Sequence, residues 1–101
     1  MKFQTVKEAL DTALYDWSLM QKTSGDEGAE HAERFERHFY DFIDEFETWF
    51  RTLDPEPTEL EEAEALPEVM ELEQHLPGPL QLNFTIELER IIDGYKTSRF
   101  D

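Results

Sequence analysis

Apolar residues between positions 32 and 53 recur at alternating intervals of three and four, which is the spacing of one face of an α-helix. The members of this aromatic stripe are Ala32, Phe35, Phe39, Phe42, Phe46, Trp49 and Leu53. All three arginines of the segment follow a glutamate by four residues, an orientation typical of a solvated outer face. The pattern predicts a long amphipathic helix over about 27–53, whose aromatic face the rest of the chain must cover.

A second stripe precedes the first and predicts a helix over about 5–23. Its apolar positions are Val6, Leu10, Ala13, Trp17 and Met20. Thr5 and Glu8 fit a capping box at its start, and Ser24-Gly25 supplies a left-handed residue at its end. A polar loop over 24–28 follows, with Asp26 as the expected cap of the next helix.

The segment after Asp54-Pro55-Glu56-Pro57 is less regular, because its apolar stripe changes side at Pro67. Proline cannot continue a helix without losing a backbone hydrogen bond. We therefore expect two short helices, over about 58–66 and 67–76, with a capping box at Thr58 to Glu61.

Residues 80–88 alternate apolar and polar positions as a strand would, but the stretch also carries a helical stripe that continues to Tyr95. No other stretch offers a partner strand, and a lone strand would leave its backbone groups unpaired. A helix over about 79–95 is therefore predicted, with Leu82 and Ile86 on its outer face and a tail over 96–101. Together the segments predict one all-α domain over 1–101, an antiparallel, up-and-down bundle of four helices with the third broken near Pro67.

The formal charge of −16 is concentrated in the middle of the chain, since residues 26–76 carry fifteen of the sixteen excess negative charges. Clustered carboxylates repel phosphate, so nucleic acid is excluded as a direct partner. No apolar run approaches the ~18 residues of a membrane span, and no signal peptide is recognisable. We therefore expect a cytoplasmic protein without a membrane partner.

The chain offers little catalytic chemistry. It has no cysteine, no Gly-x-Ser-x-Gly, no phosphate-binding loop and no Glu-x-x-His of the kind that helical di-iron proteins use. We therefore expect neither enzyme activity nor a cofactor. The alternative is a metal or hydrolytic site made by His31, His38 and nearby carboxylates such as Glu45, although histidines at these positions also suit the flank of a buried stripe. His75 is expected at the surface.

Residues 55–76 contain eight glutamates and no basic residue, which favours an acidic face that docks a basic protein. The candidate residues are Glu56, Glu59, Glu61, Glu62, Glu64, Glu68, Glu71 and Glu73. The plainer interpretation is a solvated surface that keeps the protein in solution. Apolar residues left outside the predicted core also suggest a homodimer, and hence a structural oligomerisation module as a further alternative.

Overall fold

A computed structural model describes residues 2–94, and within this range every regular element is an α-helix. The helices are α1 (Phe3–Lys22), α2 (Gly25–Phe50), α3 (Leu60–Glu64), α4 (Pro67–His75) and α5 (Gly78–Ile92). The all-α prediction is therefore confirmed. None of these helices is both long and apolar enough to cross a membrane. The antiparallel four-helix arrangement stays a prediction.

The chain divides into two compact units at Leu53. We call the first, with α1 and α2, the hairpin unit, and the second, with α3 to α5, the acidic unit. In the hairpin unit the two helices run antiparallel, because Phe3 packs on Trp49 and Trp17 packs on Phe35, with ring centroids 4.9 and 5.3 Å apart.

The core of the hairpin unit is the central part of the two predicted stripes. Its buried apolar residues are Val6, Leu10, Ala13, Phe39, Phe42, Ile43, Phe46, Trp49 and Phe50. Removing one such large side chain from water contributes about 1.5–3 kcal/mol. The ends of the long stripe are less covered, because Ala32, Phe35 and Leu53 are only half-buried.

Helix α1 begins two residues earlier than the predicted start at Thr5. Lys2 takes the N-cap position, and the Thr5 N–H donates to the Lys2 carbonyl oxygen at 3.1 Å, so the expected capping box does not form. The extension carries Phe3 onto the Trp49 ring. Aromatic packing between the two helices, which local sequence does not reveal, therefore accounts for the earlier start.

The connection between α1 and α2 is shorter than the predicted loop. Ser24 is the N-cap and Gly25 the first residue of α2, so Asp26 lies inside the first turn. Gly25 has the predicted left-handed backbone, with φ of +66°, a region that side chains disfavour. Helix α2 ends at Phe50, three residues before the predicted end at Leu53. Just after this end, the Thr52 hydroxyl donates to the Trp49 carbonyl oxygen at 2.6 Å.

In the acidic unit, α3 covers only five residues of the expected 58–66 helix. The Thr58 N–H and hydroxyl both donate to Glu62, at 3.2 and 3.1 Å, whereas the capping box required Glu61. The break at Pro67 is confirmed, because α4 begins there. Proline suits this position, since the N–H that it lacks would have no partner within the helix.

Helix α5 settles the ambiguity between helix and strand at 80–88. Leu80 and Phe84 are buried, while Leu82 and Ile86 are exposed on the opposite face as predicted. The helix ends at Ile92, three residues before the predicted end. The predicted tail over 96–101 lies outside the described residues.

Candidate functional site

The charged residues of the acidic unit are predominantly negative. Between Leu53 and Gly94 the sequence holds twelve carboxylates and one arginine, a formal charge of −11. That arginine, Arg90, already pairs with Glu87, with Nε 2.9 Å from Oε1. No lysine and no second arginine occurs between Leu53 and Gly94, so the negative potential of exposed carboxylates such as Glu59 and Glu61 is available to a partner.

The eight glutamates named from the sequence are spread over the segments of the acidic unit from the loop before α3 to α4. Glu59, Glu61 and Glu62 are exposed at and just before α3. Glu62 accepts a hydrogen bond from the Thr58 N–H. Glu56 lies in the preceding loop and is half-buried. Glu68 and Glu71 are one turn apart on one side of α4, whereas Glu73 lies about 160° away around the helix from Glu71.

Two of the eight meet in a surface groove that α3, α4 and α5 form together. The groove has a volume of about 470 Å³ and is lined by Glu64, Met70, Glu73, Gln74, Gln81, Leu82 and Thr85. Its two apolar side chains are open to solvent, Met70 at 47% exposure and Leu82 at 66%. The structure thus combines carboxylates and exposed apolar groups in one concave place.

The side chain of Gln81 links α5 to the end of α4, two helices that line the groove. Its side-chain amide donates to the carbonyl oxygens of Glu73 and Leu76, each at 3.1 Å. These bonds reach the C-terminal end of α4, where the Glu73 carbonyl oxygen also accepts from the Leu76 N–H at 3.3 Å. They also fasten α5 to the end of α4, so the groove is defined by hydrogen bonds as well as by packing.

Glu73 has an unusual electrostatic environment in this groove. Its pKa is raised above the ordinary value of 4.5, first by partial burial and then by a hydrogen bond to Glu64 and the charge of that carboxylate. A carboxyl pair of this kind favours a state in which positive charge, such as a proton, lies between the two groups. The site is therefore suited to a cationic group.

The hairpin unit holds a charged residue that the sequence pattern did not single out. Asp16 is only 2% exposed, and its carboxylate bonds to His38 Nδ1 across the two helices. Asp16 comes seven residues after Ala9, which flanks the apolar stripe, so its inward position could have been read from helical spacing. Because a buried charge is costly unless paired, His38 has a structural role here.

The three histidines have separate surroundings. His31 Nδ1 lies 3.2 Å from an Arg34 guanidinium nitrogen, whereas His75 is exposed in the last turn of α4. Beside His38 is a shallow groove of about 390 Å³ with Asp41, Asp44 and Glu45 in its lining. Among residues 2–94, no group of three or more histidine, aspartate or glutamate side chains is arranged to hold a metal ion.

No family model, no curated protein and no solved structure matches the chain.

Proposed function

We propose that this protein is a non-enzymatic interaction module that binds a basic partner protein through the acidic unit. The observation that carries the proposal is the formal charge of −11 on residues 53–94, in which Arg90 is the one lysine or arginine. Complementary charge accelerates association by about 10–10³-fold and disfavours acidic competitors. A small helical surface can therefore select a basic protein without a deep binding site.

Individual surface ion pairs contribute little, typically ~0.2–1 kcal/mol, so no single glutamate would dominate such docking. The exposed carboxylates of Glu59 and Glu61 would mainly guide the approach of the partner. Affinity and orientation would come from groups that are desolvated on contact. This division of roles predicts strong salt dependence of the association rate and a weaker dependence of the dissociation rate.

The proposal can be tested with a fluorescent lysine-rich helical peptide and anisotropy titrations at low salt. A variant with Glu59, Glu61 and Glu68 changed to glutamine should bind the peptide more weakly than the parent protein. The matched control changes Glu27, Glu30 and Glu36 of α2 to glutamine, which removes the same charge from the hairpin unit. The control should keep most of the affinity if the acidic unit is the docking surface.

Salt provides the second criterion. Raising the ionic strength from about 0.02 M to 0.5 M shortens the Debye length to well below about 8 Å, so charge-guided binding should weaken strongly. Equal affinity at both salt concentrations, or equal losses in the two triple variants, would contradict docking through the acidic unit.

Self-association is a second candidate, favoured by large apolar side chains exposed on the hairpin unit. Tyr15 and Tyr40 are 65% and 42% exposed, respectively. The net charge of −16 would oppose a dimer at low salt. Sedimentation velocity would favour this candidate if a dimer forms and tightens as salt increases, and a monomer at every salt concentration would exclude it.

A further inference from the structure

We propose that the groove formed by α3, α4 and α5 binds a basic amphipathic segment of the partner protein. One apolar side chain of that segment, the anchor residue, would pack against Met70 and Leu82. An adjacent lysine or arginine would pair with Glu64 and Glu73. This inference rests on the proposed function and deepens it. It replaces a diffuse acidic surface by one defined site.

The apolar part of the groove has room for an anchor residue. Met70 and Leu82 come from different helices, and both expose about half or more of their side chains, at 47% and 66%. The volume of about 470 Å³ lies within the ~300–1,000 Å³ range of binding pockets. Ile86, one turn beyond Leu82 on α5, is also 53% exposed and extends the apolar strip along the helix.

The two apolar groups differ in how they can adapt to an anchor. Methionine is unbranched and polarisable, so Met70 can reshape itself around various partner side chains. Leu82 lies next to Gln81, whose amide fastens α5 to two carbonyls at the end of α4. The groove therefore has one adaptable wall and one fixed wall, which suits recognition of an apolar residue without demanding a unique one.

The charged part of the groove favours a basic residue next to the apolar anchor residue of the partner. Glu64 and Glu73 both line the groove, and the pKa of Glu73 is raised, first by partial burial and then by the neighbouring Glu64. The charge of Glu64 disfavours the ionised form of Glu73. A lysine or arginine that reaches the pair would relieve the repulsion and form charge-assisted hydrogen bonds.

A basic segment fits this site better than a second copy of the same chain. A copy that offered its own residues 53–94 would bring a formal charge of −11 against an equal charge. Like charges brought together in an interface are costly. An amphipathic helix with apolar and basic residues on neighbouring positions supplies both features that the groove requires.

The location can be tested with the full chain and an 18-residue amphipathic peptide of leucine and lysine. The protein contains three methionines, so labelling their methyl groups with ¹³C gives three NMR signals, assigned with a Met70→Leu variant. The Met70 signal should shift on titration, while the signals of the other two methionines provide an internal control. A peptide with glutamine in place of lysine should shift Met70 much less.

Affinity measurements test the same site with a matched pair of exposed residues. Leu82→Ala should weaken peptide binding by about tenfold, the loss expected for one buried leucine side chain. Tyr15→Ala, at 65% exposure in the hairpin unit, should leave binding unchanged. Glu64→Gln combined with Glu73→Gln should weaken binding of the lysine peptide and leave the glutamine peptide unaffected. Circular dichroism of each variant verifies that it folds.

The outcomes separate the two proposals. The lysine peptide could bind although Leu82→Ala has no effect and the Met70 signal does not shift. That result would contradict binding in the groove but not docking through the acidic unit. If no basic peptide binds at low salt, both proposals fail. If Met70 shifts with protein concentration in the absence of peptide, a second copy occupies the groove and the inference is overturned.

Discussion

At the scale of single residues, the bond to His38 provides the buried Asp16 carboxylate of the hairpin unit with a partner. Asp16 is buried, so removing its partner would leave a carboxylate without compensation. We expect His38→Ala to lower the free energy of unfolding by about 3 kcal/mol. Urea denaturation followed by circular dichroism would measure the change.

His31→Ala is the matched control for that substitution. His31 lies on the same helix, but its neighbour Arg34 is only half-buried, and the change should cost less than about 1 kcal/mol. Equal losses in the two variants would show that the Asp16–His38 bond contributes nothing specific. Asp16→Asn should couple energetically to His38→Ala, because the two residues share one interaction.

The raised pKa of Glu73 leads to a prediction about pH. The folded protein holds the Glu73 proton more tightly than the unfolded chain, whose carboxyl titrates near 4.5. Stability is therefore lost as pH rises from 4.5 through the raised pKa. Glu73→Gln removes the ionisation, so it should raise the free energy of unfolding at pH 7 by about 0.2–0.5 kcal/mol, as for like charges on neighbouring helix positions.

Thermal unfolding between pH 4 and pH 8 would check this prediction. The advantage of Glu73→Gln over the parent protein should disappear below pH 4.5. Glu64→Gln should recover part of the same gain, because it removes one cause of the raised pKa. Parallel stability curves for the parent protein and Glu73→Gln over the whole pH range would contradict this account.

At the scale of helices, α5 offers a matched pair of leucines two positions apart. Leu80 is 2% exposed and Leu82 is 66% exposed, a difference that a helix produces and a one-sided strand would not. We expect Leu80→Ala to cost about 2–5 kcal/mol and Leu82→Ala to stay within about 0.5 kcal/mol of the parent. Urea denaturation of both variants would measure this, and equal costs would contradict the assigned faces.

Helical faces could be predicted because they depend on spacing within one segment. The aromatic stripe of α2 and the exposed face of α5 with Leu82 both follow from a period of 3.6 residues. Helix ends were less predictable because they depend on contacts between segments. Phe3 extends α1 to reach Trp49, and Thr58 bonds to Glu62 in place of the capping box expected from its neighbours.

The candidate site was only partly predictable for a similar reason. The sequence identified the glutamate-rich segment, since charge is visible residue by residue. It did not identify the meeting of Glu64 with Glu73, nor the groove that they share with Leu82. Those contacts depend on how the chain turns after α3 and after α4, which the prolines at 67 and 77 indicate without specifying the direction.

At the scale of the whole molecule, the net charge of −16 on 101 residues creates repulsion within the folded chain. Added salt screens that repulsion. We therefore expect the melting temperature to rise by several degrees between about 0.02 M and 0.5 M sodium chloride, since ~1 kcal/mol corresponds to about 4–8 °C for a domain of this size. Circular dichroism melts would measure the shift.

The variant with Glu59, Glu61 and Glu68 changed to glutamine should respond less to salt than the parent, because it carries three fewer negative charges. A melting temperature that does not change with salt, or equal responses in the two proteins, would show that the excess charge does not weaken the fold.

The position of the two tryptophans has a spectroscopic consequence. Trp17 and Trp49 both belong to the hairpin unit, where each contacts a phenylalanine ring of the other helix. The acidic unit contains no tryptophan, and between Leu53 and Gly94 Phe84 is the one phenylalanine or tyrosine. Excitation at wavelengths absorbed by indole alone therefore reports on the hairpin, while the amide signal in the far ultraviolet reports on all five helices. Recording both signals in one denaturation experiment would follow the hairpin separately, without an added dye or label.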